Sequence, residues 1–206
     1  MARPTIAEAE EIFEWGVGKH GGGWVGHSQT VARAARVIAE AAELDGDRAY
    51  VLGLLHDIGR YTGIRTMRHV VAGYELMTEK GFDEVAKICI THTYPEGAPV
   101  DYVGPGETEA RAIETVLQEV EYDDYDRLIA FCDLISERDG VSLIEQRLIG
   151  VVRRYGYTEE RGRVWDLFFG LKEYWDEKCG RNVYELFREE IEGRIFGENP
   201  KPAPSN

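Results

Sequence analysis

The sequence predicts an all-α fold, a compact multi-helix bundle, on three observations. Apolar residues recur three and four positions apart through most of its 206 residues. Capping boxes and glycines bracket those segments at helical lengths. No segment shows a compelling strand alternation, and the length suits one domain, or one domain with an appendage, that buries its own core.

Each element follows from local residues. Thr5-Ile6-Ala7-Glu8 is a capping box, and Ile6, Ala9, Ile12 and Phe13 share a face of the helix it opens, which is expected to end at Gly16. The run from Gly16 to Gly26 matches GxGxxG literally but follows a helix rather than a strand. A dinucleotide site is therefore rejected in favour of a flexible approach to the next helix. There His27, Val31, Ala34, Ala35, Ile38 and Ala42 form a stripe of helical period, and His27 points inward. Asp47 to Ile58 would suit a buried strand by periodicity alone, yet about a dozen residues is a helical length. Gly59 and Gly63 break it. Helices are expected from Thr66 to Lys80, carrying His69, Gly73, Leu76 and Met77, and from Phe82 to Thr93, carrying Val85, Ile88, Cys89 and His92. Tyr94 to Gly106, rich in proline and glycine, is a loop and a candidate lid.

A helix from Glu107 carries Ile113, Val116, Leu117 and Val120. In the next, from Asp123 to Ile135, Asp123, Asp124 and Asp126 have polar neighbours, and only Asp133 is expected to be buried. Ser142 to Glu145 and Asn182 to Glu185 are capping boxes, and Thr158 caps a helix through Val164, Leu167, Phe168, Leu171 and Trp175. Residues 1–140 are expected to form a catalytic helical domain, 141–196 additional helices packed on it, and 197–206, with three prolines, a flexible tail.

With 24 Lys+Arg against 38 Asp+Glu, the net charge of −14 disfavours a general nucleic-acid or anionic-membrane surface. Three widely spaced cysteines, Cys89, Cys132 and Cys179, fit reduced thiols better than disulfides or a CxxC site. Without an apolar leader or a membrane-length run of about 18 apolar residues, the chain is expected to be soluble and cytoplasmic.

The chemistry centres on Leu54-Leu55-His56-Asp57-Ile58-Gly59-Arg60. It sets an imidazole and a carboxylate in apolar packing, where an unpaired charge is costly and a metal ion would compensate it. Of five histidines, His27, His56, His69 and His92 fall on inner faces of successive helices, together with Asp57 and Asp133. Any one of them is more simply a hydrogen-bonded core residue. As a set they are ligands suited to Fe, Mn, Co, Ni or Zn, and six ligands with a shared carboxylate suffice for two ions. Cys89 and Cys132 are better read as small buried residues than as thiolate ligands.

These residues, with Leu55-His56-Asp57-Ile58-Gly59 matching the HDIG signature, resemble the HD-domain superfamily of metal-dependent phosphohydrolases from about Trp24 to Glu137. The segments around His69 and His92 are similar to its dinuclear branch, which includes bacterial symmetrical diadenosine-tetraphosphate hydrolases. The resemblance implies His27, His56, Asp57 and Asp133 on one divalent transition metal and His69 and His92 on a second, with Asp57 bridging and Fe or Mn favoured. It implies a phosphomonoesterase or phosphodiesterase acting through a metal-activated water on a small phosphorylated substrate, a nucleotide or a relative of one. Two departures stand out: Arg60 where the family often has Lys, and no double His or GYP motif, so cyclic diguanylate is not the expected substrate.

Arg60, Arg65 and Arg68 cluster beside the signature, where guanidiniums match phosphate oxygens, with Arg60 foremost and, beside Asp57, catalytic, while Arg65 and Arg68 read equally well as solvated residues at a helix start. Lys19 and His20 are surface polar residues. Trp165, Phe168, Phe169, Tyr174 and Trp175 form core or a homodimer seam rather than a base-stacking platform. Two rivals share the ligand set: a di-iron oxygenase of the same fold, and a non-catalytic, metal-dependent nucleotide sensor.

Overall fold

Thr5 starts the first helix as its residues predict, its hydroxyl accepting the Glu8 N–H while the Glu8 carboxylate accepts the Thr5 N–H. The computed structural model describes residues 1–63 and 66–197, and these fold as an all-α bundle. Helix α1 (Ile6–Lys19) continues through Gly16 instead of ending there. Gly16 is buried, and a Cβ on it would meet Ile58 Cδ1 at 2.7 Å, so the glycine serves close packing rather than helix termination. Helix α2 (Gly23–Ala41) begins only a few residues later. The glycine run is therefore mostly helical, not a flexible approach.

The inner face of α2, Val31, Ala34, Ala35 and Ile38, is fully buried. Its small side chains admit α3 (Gly46–Leu55) closely enough that a Cβ on Gly53 would lie 2.8 Å from the Ala32 Cα. Asp45 caps α3 by accepting from the Arg48 N–H. Helix α3 ends at Leu55, which leaves His56 and Asp57 in the turn before a short 3-10 segment, Ile58–Thr62. Helix α4 (Arg68–Glu79) crosses that segment so tightly that a Cβ on Gly59 would overlap the His69 carbonyl oxygen. Helix α5 (Asp83–Thr91) packs on α4, with Cys89 against Gly73.

A loop containing the 3-10 turn Val100–Val103 leads to α6 (Glu107–Leu117) and α7 (Asp124–Ile135). The expectation that Asp133 alone of the α7 acids is buried is corrected here. Asp126 has no exposed side-chain area and meets Lys87 Nζ at 2.6 Å and Thr91 Oγ1 at 2.7 Å, whereas Asp133 keeps 21% of its side chain exposed. Sequence neighbours mislead because α5 supplies the partners that make Asp126 tolerable inside.

Where no strand was expected, β1 (Ser136–Glu137) and β2 (Gly140–Val141) form a two-residue antiparallel hairpin. Ser142 does not cap the following helix. Its hydroxyl donates to the Ile135 carbonyl, and α8 (Ile144–Tyr155) starts without a side-chain cap. Thr158 does cap α9 (Glu159–Cys179), while Asn182 opens a 3-10 turn, Val183–Phe187, ahead of α10 (Arg188–Phe196).

These last helices rest on the earlier ones through Trp175, fully buried, and through Arg33, whose two Nη atoms each meet a Glu190 carboxylate oxygen at 2.7 Å. Phe168 and Trp175 belong to the core, the first of the two readings of the aromatic stripe. Beyond Gly197 the expected tail lies outside the described residues. No described helix is long and apolar enough to cross a membrane.

Candidate metal centre

His56 and Asp57 are 1% and 3% exposed where α3 gives way to the 3-10 segment. Three other elements converge on them, with His27 from α2, His69 from α4 and His92 from the C-terminal end of α5. The His56 ring lies 5.3 Å from that of His27 and 4.8 Å from that of His92, between centroids. Two triads form, His27 with His56 and Asp57, and Asp57 with His69 and His92, each with one donor atom per residue all within 4.8 Å of one another. Asp57 is common to both. Asp133 joins through its Oδ1, 2.8 Å from His27 Nε2.

All four imidazoles are oriented in the same way. Their Nδ1 atoms face backbone carbonyls: His27 at Ser136 (3.1 Å), His56 at Gly53 (2.7 Å), His69 at Thr66 (2.7 Å) and His92 at Ile88 (2.9 Å). A carbonyl only accepts, so each Nδ1 carries the proton and each neutral ring presents a bare Nε2. Those bare nitrogens face carboxylates, His27 toward Asp133 and His69 toward Asp57 Oδ1 at 3.2 Å. Two acceptors at such distances repel unless a proton or a cation lies between them. His56 Nε2 and Asp57 Oδ1 are moreover buried with no hydrogen-bond partner, a cost of about 1–3 kcal/mol each if left unmet. The donor set fits a borderline divalent metal, which accepts both neutral imidazole and carboxylate.

The electrostatics agree. Burial, with smaller effects from neighbouring rings, pushes His56 down to about 3, and burial lowers His92 as well. Burial alone would raise Asp57 and Asp133. Instead Arg60 holds Asp57 well below the usual carboxylate range, joined by His69 and His56 where a positive charge sits at those rings, and His27, on the same condition, and Arg147 do the same for Asp133. The Cys89 thiol is pushed up by burial, and its Sγ faces the Leu55 carbonyl at 3.7 Å, as a packed thiol does.

A cleft of about 700 Å³ opens over His27, Asp57, His69, His92 and Asp133. Trp24, Met67, Val103 and Val151 supply apolar wall, Val103 being from the loop read as a lid. Arg60 lines the cleft, its Nε on Asp57 Oδ2 and its Nη2 3.2 Å from His69 Nε2. Arg68 is not among the described residues that line it. One residue before His69, it is turned by about 100° on α4 and pairs with Glu75 at 2.8 Å. Arg65 lies outside the described residues. Lys19 and His20 are exposed.

Sequence reasoning missed Arg138, Arg147, Arg154 and Arg161, all of which line the cleft. A signal existed, since Arg147, Val151 and Arg154 follow the i, i+4, i+7 spacing of one helix face. Among known proteins, the family model described as HD domain matches residues 24–138. No curated protein and no solved structure matches the chain.

Proposed function

The chain belongs to the HD-domain family, a superfamily of metal-dependent hydrolases, and on that premise we propose that it is a phosphohydrolase acting on a nucleotide or related small phosphoester. The observation that carries this reading is the position of Asp57, shared by two imidazole pairs beneath an arginine-lined cleft. His27, His56, Asp57 and Asp133 would hold one ion and His69, His92 and Asp57 a second, with Fe or Mn favoured and Co, Ni or Zn suited to the same donors. When bound, such ions supply Lewis acidity toward a phosphoryl oxygen and make a water acidic enough to attack near neutral pH.

The chain's own residues do the rest. Gly53, Thr66, Ile88 and Ser136 hold the Nδ1 protons, so no imidazole has to lose one before its Nε2 acts as a donor. Arg60, beside Asp57, carries a planar fork of N–H groups that offsets charge on a transferring phosphoryl group. Trp24 and Met67 give the cleft an apolar side on which a base or other organic group can lie.

The test is elemental analysis of anaerobically purified protein with a phosphoester panel on the same sample. Transition metal together with phosphate release that needs no O₂ is the expected result. O₂ uptake tied to oxidation of an organic substrate, without phosphate release, would instead identify the di-iron oxygenase. Tight nucleotide binding with no turnover would identify the sensor.

A further inference from the structure

His92 follows α5 with its ring buried and its Nδ1 proton held by the Ile88 carbonyl at 2.9 Å, so its Nε2 offers a single lone pair. That lone pair is already in use. Thr93 Oγ1 lies 3.0 Å from it, and since a bare Nε2 only accepts, the hydroxyl is the donor. Among the described residues the other three inward rings differ: His27 Nε2 faces Asp133, His69 Nε2 faces Asp57 and Arg60, and His56 Nε2 has no hydrogen-bond partner.

One lone pair serves one acceptor role at a time. When a cation takes His92 Nε2, the Thr93 hydroxyl loses its acceptor, and a donor left unmatched in a half-buried position is costly. The main chain around it is fixed. Tyr102 OH donates to the Thr93 carbonyl, the Thr93 and Tyr94 N–H groups both meet the Ile90 carbonyl, at 3.3 and 3.4 Å, and Tyr122 OH donates to the Tyr94 carbonyl at 2.6 Å. What can move is the Thr93 side chain, which turns between staggered positions about χ1. It lines the same cleft as Asp57, His69 and His92.

We propose that Thr93 contacts the substrate: displaced from His92 Nε2 when that nitrogen takes a cation, its hydroxyl donates to a phosphoryl oxygen held over Asp57, His69 and His92. The identity of that substrate group rests on the phosphohydrolase reading. A charged phosphoryl oxygen is a stronger acceptor than the neutral imidazole it replaces, so the exchange favours the loaded, occupied cleft.

Mn²⁺ and methylphosphonate, which is not hydrolysable, are the probes. Mn²⁺ is titrated into metal-free protein, and methylphosphonate calorimetrically into Mn²⁺-loaded protein with free metal buffered. Thr93→Val keeps the branched shape without the hydroxyl, Thr93→Ala removes the hydroxyl by a second route, and Thr93→Ser keeps it; circular dichroism checks the fold of each. The valine and alanine variants are expected to bind methylphosphonate about tenfold more weakly than the wild type, as loss of a hydrogen bond to a charged group implies, and the serine variant to stay within about threefold. Mn²⁺ affinity in the valine variant is expected to equal that of the wild type or exceed it by up to about threefold, because a competitor for the lone pair is gone. Unchanged methylphosphonate affinity in the valine and alanine variants, as for a hydroxyl that turns back onto α5, overturns the proposal. So does an equal loss in the serine variant, or weakened Mn²⁺ binding in the valine variant. Methylphosphonate binding that depends on the hydroxyl, with no phosphate released from any ester, upholds the Thr93 contact and removes the hydrolase reading. Phosphate release with methylphosphonate affinity indifferent to Thr93→Val upholds the hydrolase reading and removes the contact.

Discussion

His27 Nε2 stands 2.8 Å from Asp133 Oδ1 while Nδ1 of the same ring faces the Ser136 carbonyl. A neutral imidazole has one donor and one acceptor, and the carbonyl claims the donor, so the contact with Asp133 is completed only by a further proton or a cation. Asp133→Asn preserves shape and removes the anion. Metal content after dialysis against a buffered ion is expected to fall at least tenfold in affinity with an unchanged circular dichroism spectrum. Wild-type affinity would place the cation elsewhere.

Asp57 is the residue common to both triads, so Asp57→Ala is expected to lose metal and activity together. Arg60→Ala is expected to keep the metal and weaken substrate use. Full metal content in the first variant would contradict a shared ligand, and unaltered kinetics in the second would take Arg60 out of the site.

Gly59 follows the His-Asp-Ile run, and its backbone lies where any Cβ would overlap the His69 carbonyl oxygen and stand 2.5 Å from the Gly73 nitrogen. Both obstacles are backbone and cannot rotate away. Gly59→Ala is expected to destabilise the fold by about 3 kcal/mol, the upper part of the usual overpacking range, and to disturb His69. A melting midpoint within a degree of the wild type would show that α4 can move aside at little cost.

Lys87 and Asp126 are a buried pair, with side chains 7% and 0% exposed and 2.6 Å apart. Lys87→Met leaves the carboxylate without its cation, for which a loss of about 3–5 kcal/mol is expected. Adding Asp126→Asn should recover part of it. Denaturant unfolding of the single and double variants measures both, and a single variant as stable as the wild type would refute the pairing.

The C-terminal helices should loosen in acid. Burial tends to raise Glu190, but Arg33 and the Val141 N–H bring it below the ordinary glutamate value, and at Asp124 Lys178 and Tyr174 likewise outweigh burial. Their folded-state pKa values are thus depressed, so the folded form binds fewer protons. The stabilisation is complete above the unfolded values of about 4, and it is lost as pH falls through that region toward the depressed ones. Hydrogen-exchange protection in α10, measured against the intrinsic rate at each pH, is expected to drop between pH 5 and pH 3 in the wild type and much less so in Glu190→Gln. An equal drop in both would exclude this carboxylate.

The helices, the His-Asp turn and the four inward histidines were legible from the sequence alone, because helical period and the oddity of polar groups within apolar runs are local properties. So was the suspicion that six ligands, His27 to Asp133, share a centre. Only the tertiary structure showed that, among the described residues, Arg147, Arg154 and Arg161 reach the cleft from helices far along the chain and that Arg68, next to His69, pairs with Glu75. It likewise decided that Asp126 is less exposed than Asp133, because α5 brings Lys87 and Thr91 to meet it. Burial of a charge depends on the partner that crosses from another element, and no window on one helix contains that partner.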